Sequence, residues 1–111
     1  MRLPNAEEAI IEEKKIRDYL LSFSHPIGRF KAAIFLHLGY NSENWRQLEI
    51  DFREQHLPCE AEEIGTNRYG TKYKIEAPLK GPNGKAIEMT SIWVIEDGED
   101  RPRLVTVYPG G

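Results

Sequence analysis

The chain is poor in the residues that most small enzymes and disulfide scaffolds depend on. It has one cysteine, Cys59, and three scattered histidines, His25, His37 and His56. One thiol cannot close an internal disulfide, and that set lacks the spacing of a Cys/His zinc site, so neither a disulfide framework nor a structural metal is expected. No Gly-rich phosphate loop, Gly-x-Ser-x-Gly elbow or His-Glu-x-x-His motif is present, which removes nucleotide hydrolysis, serine esterase and zinc protease chemistry in their usual forms, and no cofactor is implied. No apolar run approaches the roughly 18 residues that span a bilayer, so no membrane is expected as a partner. The segment Met1-Arg2-Leu3-Pro4-Asn5-Ala6 lacks the apolar core of a signal peptide, and a cytoplasmic location is expected.

Excess positive charge is also missing. The net charge is −3, against the basic face that non-specific nucleic-acid binding requires. The distribution is uneven: residues 1–66 carry 8 Lys+Arg against 12 Asp+Glu, and residues 67–111 carry 7 against 6. Arg68, Lys72, Lys74, Lys80 and Lys85 fall in a span whose only acid is Glu76, which makes either a local basic patch or a solvated strand face.

What is present reads as one α+β domain: three N-terminal helices followed by an antiparallel β-meander of three to four strands. Ala9-Ile10-Ile11 suits an edge strand or a cap on the core. From Glu12 the spacing of Ile16, Tyr19, Leu20 and Phe23 predicts a first helix, ended by Ser24-His25-Pro26. Pro26 suits the first position of a second helix with His25 as its N-cap, and Gly39 ends that helix after Leu38. A third helix starts at Asn41 or Ser42, with Trp45, Leu48, Phe52 and His56 on its buried stripe, and stops at Pro58.

Three strands follow clearly and one weakly. Glu60 to Ile64 has poor alternation. Thr71 to Leu79 alternates well, with Pro78 favouring an edge or a bulge. Lys85 to Ile95 is the longest β-branched and aromatic run and predicts the central strand, flanked by Gly81-Pro82-Asn83-Gly84 and by a charged turn from Asp97 to Pro102. Arg103 to Tyr108 predicts the last strand, with Leu104, Thr106 and Tyr108 opposed to Arg103, Val105 and Val107.

One residue breaks its pattern. Ile27, Phe30, Ile34, Phe35 and Leu38 share one face of the second helix, and Lys31 falls within the same arc. A lysine in an apolar stripe must snorkel, pair, or line a cleft. At the helix start, His25 and Gly28 leave room for an anion beside unpaired N–H groups, and Lys31 can address the same place; His25 can equally be a plain cap. From the sheet, Ser91 and Trp93, with Arg103 and Thr106, offer hydroxyls and a guanidinium suited to phosphate oxygens, although such residues are also common strand decoration.

The runs Leu3-Pro4-Asn5-Ala6, Asp18-Tyr19-Leu20-Leu21, His25-Pro26-x-Gly28-x-x-Lys31-Ala32, Leu38-Gly39-Tyr40, Tyr69-Gly70-x-Lys72-Tyr73, Gly81-Pro82-Asn83-Gly84, Trp93-x-Ile95 and Pro102-Arg103-Leu104-Val105-Thr106 together resemble an uncharacterised bacterial domain. That domain occurs as short stand-alone proteins and at the C-terminal tips of large polymorphic toxins. Its layout is similar to that of the barnase, EndoU and RelE group of metal-independent ribonucleases. The resemblance implies RNA as substrate, His25, Lys31 and Arg103 as catalytic residues, Lys72, Ser91, Trp93 and Thr106 as substrate contacts, and a small neutralising protein as partner. The competing expectation is a non-catalytic protein-interaction module in which the same polar set ties helices to sheet.

Overall fold

The computed structural model describes residues 1–22, 24 and 28–110. The helices come first and lie on one face of a four-stranded antiparallel sheet, as the α+β reading requires. Arg2 bridges to Glu60, one 3₁₀ turn covers Ala6–Glu8, and Ile10 forms a parallel bridge with Arg103. The Ala9 to Ile11 segment caps the core, since Ala9 and Ile11 are buried, and in place of the alternative edge strand Ile10 makes only an isolated bridge to the last strand.

Helix α1 is an α-turn over Glu13–Lys15 that continues as a π-helix over Ile16–Leu20, with Leu21 N–H bonded to the Ile16 carbonyl at 2.8 Å. Helix α2 runs Gly28–His37; its expected start at Pro26 and cap at His25 lie outside the described residues. Its buried stripe is Ala32, Phe35 and Leu38, and Lys31 sits half-buried beside it. Phe30, expected on that stripe, is 67% exposed instead, because it projects about 140° away from Phe35 around the helix. Helix α3 is composite: a 3₁₀ turn Ser42–Asn44, an α-helix Trp45–Asp51 and a π-helix Phe52–His56. Asn41 caps it, its side chain accepting from Glu43 and Asn44 N–H while the Asn44 side chain accepts from Asn41 N–H. Leu48, Phe52 and His56 are buried as expected. Among the described residues no helix is long and apolar enough to cross a membrane.

The strands are β1 (Ala61–Asn67), β2 (Gly70–Lys80), β3 (Ala86–Glu96) and β4 (Arg103–Pro109), hydrogen-bonded in sequence order. The weak Glu60 to Ile64 signal becomes a full strand, held by pairing with β2 rather than by a buried face, since only Ala61 of its residues is buried. Tyr73, Ile75, Ala77 and Leu79 of β2, with Met89, Ser91 and Trp93 of β3, carry the core face. Pro78 lies where β2 extends beyond β1, and Lys80, two residues on, turns both its N–H and its carbonyl to the Gln55 side chain, at 2.8 and 3.0 Å. The missing donor of Pro78 therefore falls on an open edge.

The alternation expected for β4 fails at its middle. Trp93 pairs with Leu104 but its neighbour Ile92 pairs with Thr106, so Val105 is an extra residue in a β-bulge. The core residues are Leu104 and Val107, three apart, where uninterrupted alternation would have put them on opposite faces.

Helix layer and sheet are joined by backbone contact at one corner. A Cβ on Gly81 would lie 2.0 Å from the Leu38 carbonyl oxygen, and the following Asn83 donates its side-chain amide to the His37 carbonyl at 2.8 Å. The Gly81 to Gly84 turn thus covers the carbonyl end of α2 as well as reversing the chain. Gly81→Ala should lower the unfolding free energy by about 2–3 kcal/mol, an overpacking cost. Gly84→Ala, at a positive φ but facing open space, should lower it by about 1 kcal/mol, and urea denaturation of both variants distinguishes the two.

Candidate functional site

The helix stripe and the bulged strand meet at Lys31. Its Nζ donates to Thr106 Oγ1 at 2.6 Å, a contact across 75 residues. β4 is an edge strand, so a lysine from the helix layer can reach a side chain on its far side. Lys31 also lines, with Phe35, Met89, Val107 and Tyr108, a slot too narrow to admit water. Lys31 and Thr106, named separately from the sequence, are thereby in direct contact. His25 lies outside the described residues.

Arg103 is brought to the same side of β4 by the bulge. Thr106 pairs with Ile92 and Arg103 with Val94; Ile92 and Val94 are two apart and share a face, so Thr106 and Arg103 share it too. Val94 also pairs with Lys72, which places Lys72 and Arg103 on one face, two strand spacings or about 10 Å apart. Arg103 Nη1 is ion-paired with Glu12, a partner that sequence spacing could not reveal because the two are 91 residues apart. Lys74, in the neighbouring row, is bound to Glu76 at 2.8 Å and Glu62 at 3.5 Å, and its ammonium is raised above the usual lysine value by the Glu76 hydrogen bond and the charge of Glu62. The run of basic residues is therefore partly neutralised within the sheet. Lys72 stays exposed.

Ser91 and Trp93 are placed inside the molecule, both without solvent exposure. Ser91 Oγ accepts from Trp93 Nε1 at 2.8 Å and lies 2.6 Å from His56 Nε2. Serine, histidine and tryptophan thus form one buried polar chain between α3 and β3, behind the Lys31 and Thr106 contact and not on a surface. His56 Nδ1 has no partner of hydrogen-bonding geometry. Burial pushes the His56 imidazole down to about 4, opposed weakly by the Ile75 backbone.

That depression fixes the sign of a pH effect. Between the unfolded value of 6.5 and the folded value of about 4, the unfolded chain binds the proton that the folded chain refuses. Stability should be undiminished by this group above pH 6.5, fall through the window, and level off below about pH 4 after a loss of about 3 kcal/mol. Urea midpoints from pH 7.5 to 4 measure this, and in His56→Phe the slope over that window should flatten.

A hollow of about 290 Å³ lined by Arg2, Ala6, Glu7, Arg53, Leu57 and Pro58 takes in none of these groups. The candidate site is instead a half-buried line at the β4 edge, where Lys31 of α2 meets Thr106 and Arg103, continued by the exposed Lys72. Comparison with known proteins bears on the fold and the family. A chain in the solved structure of a contact-dependent growth inhibition toxin - immunity protein complex from Klebsiella pneumoniae 342 is similar over 92% of this chain and 100% of that chain, with a TM-score of 0.64. At 21% identity that likeness is one of fold. No curated protein matches the chain. A family model described as a domain of unknown function, DUF6883, matches residues 2–111, and the chain therefore belongs to that family.

Proposed function

We propose that this domain is a toxin-type, metal-independent endoribonuclease in which Lys31, Thr106 and Arg103 bind the scissile phosphate and His25 moves a proton. The observation that carries the reading is the 2.6 Å contact between Lys31 and Thr106, with Arg103 on the same side of β4. An ammonium, a hydroxyl and a guanidinium in one line are the groups that neutralise charge around a crowded phosphorus. Cleavage without a metal requires a base to take the proton of the ribose 2′-hydroxyl. The freed oxygen attacks phosphorus, the bond to the 5′-oxygen breaks with a proton delivered to it, and a 2′,3′-cyclic phosphate and a 5′-hydroxyl result. His25 serves as the base. Lys72 extends the phosphate track across the sheet face, whereas Ser91 and Trp93 contribute from behind by stiffening β3. The likeness in fold to a chain of a toxin - immunity protein complex supports both the toxin class and a small neutralising protein as partner.

One observation favours the interaction module: Arg103 already has a carboxylate, Glu12, which RNA would have to displace. The two readings separate in one assay. The purified domain, incubated with bulk RNA in excess chelator, should release fragments ending in cyclic phosphate. Lys31→Ala should reduce the rate by about 10²-fold or more, as loss of one charge-stabilising donor does. A urea midpoint for the variant guards against simple unfolding. Absence of cleavage by the unmodified domain would overturn the enzymatic reading and leave the interaction module.

A further inference from the structure

The proposed reaction needs a second proton-transfer group, and the described histidines do not supply it. His56 is buried with Nε2 on Ser91. His37 stands six residues beyond Lys31 on α2, about 9 Å along the axis, where its carbonyl is bound by Asn83. The Glu12 carboxylate is engaged in its ion pair with Arg103. Of the tyrosines whose side chains are described, Tyr40 is buried on Asp51, Tyr73 is buried in the sheet, and Tyr69 sits at the β1–β2 turn beneath the Arg68 guanidinium.

Tyr108 is different. It pairs with Thr90, two residues along β3 from the partner of Thr106, so Tyr108 and Thr106 project from one side of β4 about 7 Å apart. With Lys31 it lines the same narrow slot. It is 42% exposed, and its hydroxyl bonds to no described residue. The fold thus leaves a phenol, a proton donor, open beside the lysine and hydroxyl of the phosphate site.

Resting on the ribonuclease reading above, we infer that Tyr108 is the general acid that gives its phenolic proton to the departing 5′-oxygen. In that step the P–O5′ bond breaks, the O5′ takes the proton, and the tyrosinate is reprotonated from water while the proton taken from the 2′-hydroxyl leaves His25. Lys31, next to the phenol, stabilises the transient tyrosinate as well as the phosphate.

Tyr108→Phe tests this, because it keeps the ring and removes only the proton. The kcat for an RNA oligonucleotide should fall about 10²- to 10³-fold with KM and the affinity of the uncleaved oligonucleotide unchanged. The alkaline limb of the pH profile should disappear. A substrate with sulfur in place of the bridging 5′-oxygen, whose thiolate leaves without a proton, should be cleaved equally by variant and unmodified domain. If the unmodified domain cleaves RNA and the variant matches it, the inference is overturned and the ribonuclease reading stands. If the variant loses affinity and rate together, or the sulfur substrate gives no rescue, Tyr108 is a contact and not the acid. If the unmodified domain cleaves nothing, the ribonuclease reading itself has failed.

Discussion

The height at which Lys31 meets β4 depends on a place where two backbones touch. Burial of apolar surface is non-directional, and the stripe of α2 alone would permit the helix to slide over the sheet. The Leu38 carbonyl against Gly81 forbids that, because the space between them holds no side chain atom. Asn83 adds direction by binding the carbonyls at the helix end, through its side chain to His37 and through its N–H to Leu38 at 3.4 Å. With the C-terminal end of α2 pinned to the β2–β3 turn, the height of Lys31 above β4 is set. The lysine meets Thr106 because a turn some fifty residues away in sequence is made of glycine, proline and asparagine.

Buried polar contacts extend the same control along α3. Tyr40 donates to Asp51, whose other oxygen accepts from Gln47 at 2.9 Å. Burial first, and then Asp51, holds the Tyr40 phenol far above its ordinary value, so it remains a donor. Gln55 stands in for a missing strand at Lys80, and His56 closes onto Ser91. These ties are spaced along one helix and its approach, and each fastens it to a different part of the sheet or the helix layer. In a water-free interior an unpaired member would be costly, which makes such contacts select one docking of α3 over its neighbours.

Much of this was readable from residue types. Asn41, Gly39 and the Gly81 turn mark their elements through local chemistry that operates wherever they occur. Lys31 stood out because it violated a pattern, and its contact with Thr106 joins two residues chosen independently. Most of the failures share a cause. The extent of β1, the bulge at Val105 and the Glu12 partner of Arg103 all depend on neighbours far away in sequence, whereas the outward turn of Phe30 follows from its angle to Phe35 on the helix. Ser91 and Trp93 are a separate lesson: alternating with Ile87 and Met89 they already belonged to the core face, and hydroxyl and indole chemistry suggested a surface role that the alternation opposed.

The bulge is where fold and candidate site make a single demand. Leu104 and Val107 must both enter the core, and Arg103 and Thr106 must both leave it, although each pair is three residues apart. No regular strand does this, since a spacing of three reverses the side. Regular alternation from Leu104 would send Thr106 and Tyr108 inward, and α2 would then meet a hydroxyl and a phenol where Val107 now packs. One inserted residue resolves the conflict: it keeps an apolar contact under Phe35 and turns the polar residues of the same strand outward beside Lys31. The last strand thereby serves a core on one side and carries an arginine, a threonine and a tyrosine on the other.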